Sequence, residues 1–121
     1  MAQEELFEGV NQPKDPKNLT DLEKKHLPVI DCPNSAKKGQ KFTVTIEVGK
    51  LAPHPNEHEH HIDFIDLYED RLYLSRWDFA AVRVHPKVTC EIALGKSGKL
   101  RAFSSCNLHG VWESSKDVSI T

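Results

Sequence analysis

Lys41–Val48 reads KFTVTIEV. Phe42, Val44, Ile46 and Val48 fall on one side of an extended chain, and Lys41, Thr43, Thr45 and Glu47 on the other. Strict alternation is the period of a strand with one face buried and one in water. Gly39 precedes the run and Gly49 ends it. His61–Tyr68 (HIDFIDLY) and Arg71–Trp77 (RLYLSRW) flank Glu69-Asp70, which predicts a tight hairpin. Phe79–Val84 and Lys87–Leu94 are two more expected strands, split by Pro86. Val88, Cys90, Ile92 and Leu94 share one face of the second, which makes Cys90 a core residue; Cys32, beside Pro33 and Asn34, gets no assignment. Gly95-Lys96-Ser97-Gly98 turns the chain into Leu100–Ser105, and Asp117–Thr121 is expected as a final edge strand. Six or seven short strands with regular turn signals predict an all-β chain, a β-sandwich or else a small barrel. Thr20 and Glu23 have the spacing of a capping box, so one helical turn is expected over Asp21–Lys25, stopped by Pro28. Residues 1–20, polar and carrying Pro13 and Pro16, read as an arm, leaving 21–121 as a single domain.

A chain of 121 residues is one domain's length, and it needs no disulfide framework to bury a core. Its formal charge of −2 gives no general electrostatic case for nucleic acid or an anionic membrane. No run approaches the roughly 18 apolar residues of a membrane span. The opening stretch MAQEELFEGVNQPKDPK lacks the apolar core of a secretory signal, and three unpaired Cys suit a reducing compartment, so the cytoplasm is expected. With no C-x-x-C, zinc ribbons and thioredoxin-like pairs are excluded. Histidine is out of line: there are seven, four of them within residues 54–61.

That cluster, PHPNEHEHH over 53–61, lies between two expected strands, where a rigid sheet positions loops that carry function. Neutral imidazole suits iron, copper, zinc and nickel. A solvated loop of surface histidines is the plainer alternative. The zinc-hydrolase motif H-E-x-x-H starts at His58-Glu59 but fails at Ile62, and the H-x-H of cupin barrels matches only weakly. A second piece, Cys106-Asn107-Leu108-His109-Gly110-Val111-Trp112, sets a thiol and an imidazole within one turn, with Gly110 allowing a close bend. A Cys–His nucleophilic pair would leave the histidine loop unused. A third piece, Lys25-His26-Leu27-Pro28-Val29-Ile30, is by itself an ordinary charged stretch.

Together the three pieces resemble superoxide reductase, the desulfoferrodoxin/neelaredoxin family, whose motifs run K-H-x-P-V-I, H-P-N-x-x-E-H-H-I and C-N-x-H-G-x-W. All three occur here in that order between positions 25 and 112. The resemblance implies an immunoglobulin-like β-sandwich of about seven strands holding one iron. Its implied ligands are His26, His54, His60 and His109 around the equator and Cys106 on the axis, with a sixth place open. It implies reduction of superoxide to hydrogen peroxide by one electron and two protons, with Lys25 attracting the anion. His58, His61 and His85 are left as bystanders. The stretch from Asp63 to Val88 looks shorter than in many members of the family. With no cysteine quartet for a rubredoxin-like domain, the one-iron form is expected, with a rubredoxin-like protein as electron donor and a homo-oligomer, a homotetramer or a dimer, as its assembly. The family's E-K-H is broken, because Lys24 stands where the glutamate would be and Glu23 precedes it. Oxidised iron is then expected to bind water, hydroxide or nothing at the sixth place, unless the loop recruits Glu23. The reading from a different class is a zinc- or copper-binding β-sandwich module without redox turnover.

Overall fold

Val44, Ile46 and Val48 are completely buried and Phe42 nearly so, while Lys41, Thr43 and Glu47 stay at least partly in water. This alternation makes β3 (Phe42–Glu47) the centre of a three-stranded sheet, between β1 (Val29–Asp31) and β6 (Lys87–Ile92). The computed structural model describes residues 9–121 and adds α1 (Asp21–His26), β2 (Ser35–Ala36), β4 (Ile62–Glu69), β5 (Leu72–Asp78), β7 (Gly98–Cys106) and β8 (Gly110–Ile120). The second sheet has the order β2-β8-β7-β4-β5. All pairings are antiparallel except β2 with β8. The architecture is therefore an all-β sandwich. Ile65 and Leu67 of β4, Leu100 and Ala102 of β7, and Val118 of β8 form one core with β3. Each large apolar side chain removed from water there contributes roughly 1.5–3 kcal/mol. Cys32 belongs to this core and Cys90 packs against it; burial pushes both thiols above their ordinary range.

The helix forms as its cap predicts and runs one residue further, to His26. The Thr20 hydroxyl accepts from the Glu23 N–H (3.2 Å), and the Glu23 carboxylate accepts from the Thr20 N–H (2.8 Å). Leu27 leaves helical geometry and Pro28 follows. Thr20→Ala is expected to cost about 1 kcal/mol of stability, read by thermal unfolding; a variant as stable as wild type would contradict the capping role.

Three expectations are corrected. Phe79–Val84 is not a strand. The Asn56 side chain accepts from the Val82 N–H (2.7 Å) and donates to the Val84 carbonyl (3.2 Å), occupying groups a ladder would need, and Val82 sits at φ 72°. The final strand is not a five-residue edge piece: β8 begins at Gly110, pairs with β7 from Gly110 to Val118 and is flanked at its end by β2. Its polar centre is tolerated because the nearly buried Glu113 carboxylate accepts from Arg101 at 2.6 and 3.2 Å. The hairpin turn is Asp70-Arg71, one residue later than expected, with Asp70 at φ 51°. The short strands β1 and β2 had no signal of their own.

The stretch expected as an arm lies partly on the sheet. Asn11 bridges Trp112 through Asn11 N–H to Val111 carbonyl and Glu113 N–H to Asn11 carbonyl, both 2.8 Å. Gln12 donates to Glu113 (2.8 Å), and the Lys14 N–H donates to Glu23 (3.0 Å). Residues 1–8 of that arm lie outside the described residues.

Candidate metal centre

Three separate regions meet at one end of the sandwich. The end of α1 supplies His26, the β3–β4 loop supplies His54 and His60, and the β7–β8 turn supplies Cys106 and His109. Cys106 ends β7 and pairs with Gly110, which opens β8 at φ 80°. A side chain is strained in that conformation, so glycine allows the three-residue turn that brings His109 back over Cys106.

One donor atom from each of His26, His60, Cys106 and His109 lies within 4.8 Å of the others. His54 Nε2 is 3.5 Å from Cys106 Sγ, His109 Nδ1 is 3.8 Å from the same sulfur, and His109 Nδ1 is 3.2 Å from His26 Nε2. The His26 and His54 rings are 4.7 Å apart, and those of His54 and His60 are 4.6 Å apart. The five residues named from the sequence are thus brought together.

Their ring orientations follow from local bonds. His26 Nδ1–H donates to the Leu22 carbonyl one helical turn back (2.7 Å), so the lone pair is on Nε2, facing the cluster. His54 Nδ1–H donates to the Pro55 carbonyl (2.6 Å), which leaves Nε2 as the acceptor facing the sulfur. His60 Nε2 is buried and has no hydrogen-bond partner. An orphaned buried nitrogen costs about 1–3 kcal/mol, unless an ion takes its lone pair. Burial pushes the His26, His54 and His60 rings below the usual imidazole range, His54 to about 4, so these rings are neutral at neutral pH. Neutral imidazole is the metal-binding form.

The other histidines are turned elsewhere. His61 presents its ring nitrogens to the Glu57 carbonyl (3.1 Å) and the Asp63 carboxylate (2.9 Å), His85 faces Glu47 (2.8 Å), and His58 is exposed. Lys25 is exposed beside His26, and its positive charge is felt at His26 and His60. Glu23 is not free to serve as a ligand. Its two carboxylate oxygens accept from the Thr20 and Lys14 N–H groups, which hold the carboxyl below its ordinary value of 4.5. Folded Glu23 therefore binds its proton less readily than unfolded Glu23. The stability it contributes is present above 4.5 and is lost as pH falls through the lower folded value. Thermal unfolding of wild type and Glu23→Gln is expected to show a gap at neutral pH that closes toward pH 3. Parallel curves would contradict this.

Behind the ligands stand Ser104, which sequence reading alone does not single out, and Trp112, which it names only as a motif residue without a role. The His26 ring stacks on Trp112 with centroids 5.0 Å apart, and the buried Ser104 hydroxyl donates to the His26 carbonyl (2.7 Å). A serine on the inward side of β7 and a tryptophan two residues past Gly110 were the available signals. Among the described residues, no helix is long and apolar enough to cross a membrane.

The family model described as Desulfoferrodoxin matches residues 18–115. A protein named superoxide reductase from Pyrococcus furiosus is 37% identical over 107 residues, covering 74% of this chain and 84% of that protein. A neelaredoxin from Megalodesulfovibrio gigas is 33% identical over 114 residues, covering 79% of this chain and 88% of that one. The solved structure of a superoxide reductase (neelaredoxin) from Ignicoccus hospitalis superposes with a TM-score of 0.81 at 36% identity, covering 93% of this chain and 95% of that chain. The matched stretch spans the helix, the histidine loop and the cysteine turn, and the chain belongs to the desulfoferrodoxin family of superoxide reductases and neelaredoxins.

Proposed function

We propose that this chain reduces superoxide: superoxide takes up one electron and two protons and leaves as hydrogen peroxide, with no dioxygen evolved. The observation that carries the proposal is the convergence of four imidazoles and one thiol at one end of the sandwich, with the buried Nε2 of His60 left without a hydrogen-bond partner. The donor set fits a redox metal. Structural zinc takes four ligands in a closed site, whereas five donors of imidazole and sulfur type suit iron. His26, His54, His60, His109 and Cys106 would hold that iron, with Cys106 ligating as a thiolate. Iron bound there supplies the one-electron reduction by passing between its ferrous and ferric states.

The chain's own residues prepare the site for the anion. Three neutral rings add no charge that would compete with the metal for it. Lys25 and His109 are exposed, so the substrate reaches the site from water, which also supplies the protons. Lys25 gives local positive charge where the net charge of −2 gives none. With Lys24 in the place of the family glutamate and Glu23 engaged in the cap, neither side chain would supply a further ligand to the iron. The electron comes from outside the chain, from a rubredoxin-like donor. Residues 21–121 act as one domain, in the cytoplasm, as a homo-oligomer, a homotetramer or a dimer.

Metal analysis of the purified protein is expected to give about one iron per chain, with a sulfur-to-metal absorption band that bleaches on reduction. A colourless zinc protein would favour the metal-binding module without redox turnover. Lys25→Ala is expected to slow the reaction with superoxide about tenfold or more and to flatten its salt dependence, as loss of local steering requires. Pulse-radiolysis rates equal to wild type at every ionic strength would remove that role.

A further inference from the structure

The β4–β7 ladder ends at the pair Ile62 and Cys106. Beyond it the chain keeps two more ladder-like bonds, and one of them comes from a side chain. The Asn107 N–H donates to the His61 carbonyl (3.2 Å), and the His61 N–H donates to the Asn107 side-chain oxygen (2.9 Å). The Asn107 side-chain NH2 then donates to the Glu59 carbonyl (2.9 Å). The carboxamide thus stands in for a peptide group, continuing the sheet past its end onto residues 59–61.

These bonds flank proposed ligands on both strands. Glu59 and His61 bracket His60, and Asn107 follows Cys106 and precedes His109 by two residues. Apart from a turn closed by mutual bonds between Glu57 and His60, the loop carrying His60 has no regular pairing of its own. We infer that Asn107 is a positioning residue: its side chain fixes the distance between the His60 segment and the Cys106–His109 turn. The inference rests on these side chains being metal ligands. Only an asparagine suits the task at this reach, because one short planar group must offer an acceptor to one main-chain group and a donor to another. Each bond lies at the surface and competes with water, so its net worth to global stability is small. Its effect belongs to the geometry of the site.

The test uses apoprotein loaded with cobalt(II), whose bond to sulfur gives a visible band, and follows loss of the ion to an excess of chelator. Asn107→Ala is expected to release cobalt about 10–100-fold faster than wild type, as loss of an outer hydrogen-bond partner does at metal sites, and to shift the band. Its apoprotein is expected to melt at nearly the wild-type temperature. Asn107→Asp keeps the acceptor for His61 N–H and loses the donor to Glu59, so its release rate is expected to fall between the two. Release from Asn107→Ala at the wild-type rate with an unshifted band would overturn the inference. So would faster release accompanied by an equal weakening of the apoprotein. If Asn107→Ala does not fold, Asn107→Asp decides by the same readouts. A wild-type protein that takes up neither cobalt nor iron would instead overturn the metal reading itself.

Discussion

Cys106→Ser is expected to abolish the visible sulfur-to-metal band and to lower the rate of superoxide reduction more than about 100-fold, because even outer partners of metal ligands are worth about 10–100-fold. Serine keeps the size of the side chain but offers a hard oxygen in place of the sulfur, which as a proposed ligand would donate charge to iron as cysteine does in thiolate-ligated haem proteins. Cys106 is 3% exposed at the end of β7, with His54 Nε2 and His109 Nδ1 within 4 Å of its sulfur. Cys106 itself belongs to the apolar core, so Cys106→Ser is expected to lose some stability as well as the band. Cys32→Ser and Cys90→Ser are the matching controls. Both thiols lie in or against the apolar core, so these variants are expected to lose some stability and keep the band. Absorption spectra of the three reduced and oxidised variants check this. A persisting band in Cys106→Ser, or its loss in Cys32→Ser, would contradict the assignment.

His26→Ala is expected to have the largest effect on both stability and metal binding. The ring is 1% exposed, stacked on Trp112 and bonded to the Leu22 carbonyl. Its removal leaves a cavity where α1 meets β8 and takes away one proposed donor. Truncation of a buried ring of this size costs about 2–4 kcal/mol. Urea unfolding of the apoprotein reads the first loss and metal content reads the second. His58→Ala, at an exposed position in the densest part of the histidine cluster, is expected to change neither. An apoprotein of His26→Ala as stable as wild type, or one that still binds metal as tightly, would contradict the placement of His26.

Much of this was legible because the decisive signals are local. The alternation of Phe42, Val44, Ile46 and Val48 sets the sandwich face without reference to any partner strand. The Thr20–Glu23 spacing sets the helix that carries His26. The same spacing also bears on the sixth ligand, because a carboxylate that caps the helix is not available to a metal. What escaped the sequence depends on distant partners. Residues 79–84 look strand-like in composition, but Asn56 takes their main-chain groups from 26 and 28 residues away. The polar run Glu113–Lys116 hides the middle of β8, because the partners of Glu113, Arg101 across the ladder and Gln12, lie far along the chain. The bonding of Asn11 to β8 runs through main-chain groups, which leave no trace in residue type. Within the histidine loop, composition cannot separate His60 from His61. The two neighbours differ in what surrounds their ring nitrogens: none has a partner at His60 Nε2, while Glu57 and Asp63 engage both in His61.

The central claim is reduction of superoxide without its dismutation, and the stoichiometry of the products tests it most directly. With a chemical reductant or a reduced rubredoxin supplying electrons, the iron-loaded protein is expected to form one hydrogen peroxide for each superoxide consumed and to evolve no dioxygen. Dioxygen released alongside peroxide, or superoxide consumption no faster than in buffer, would contradict it.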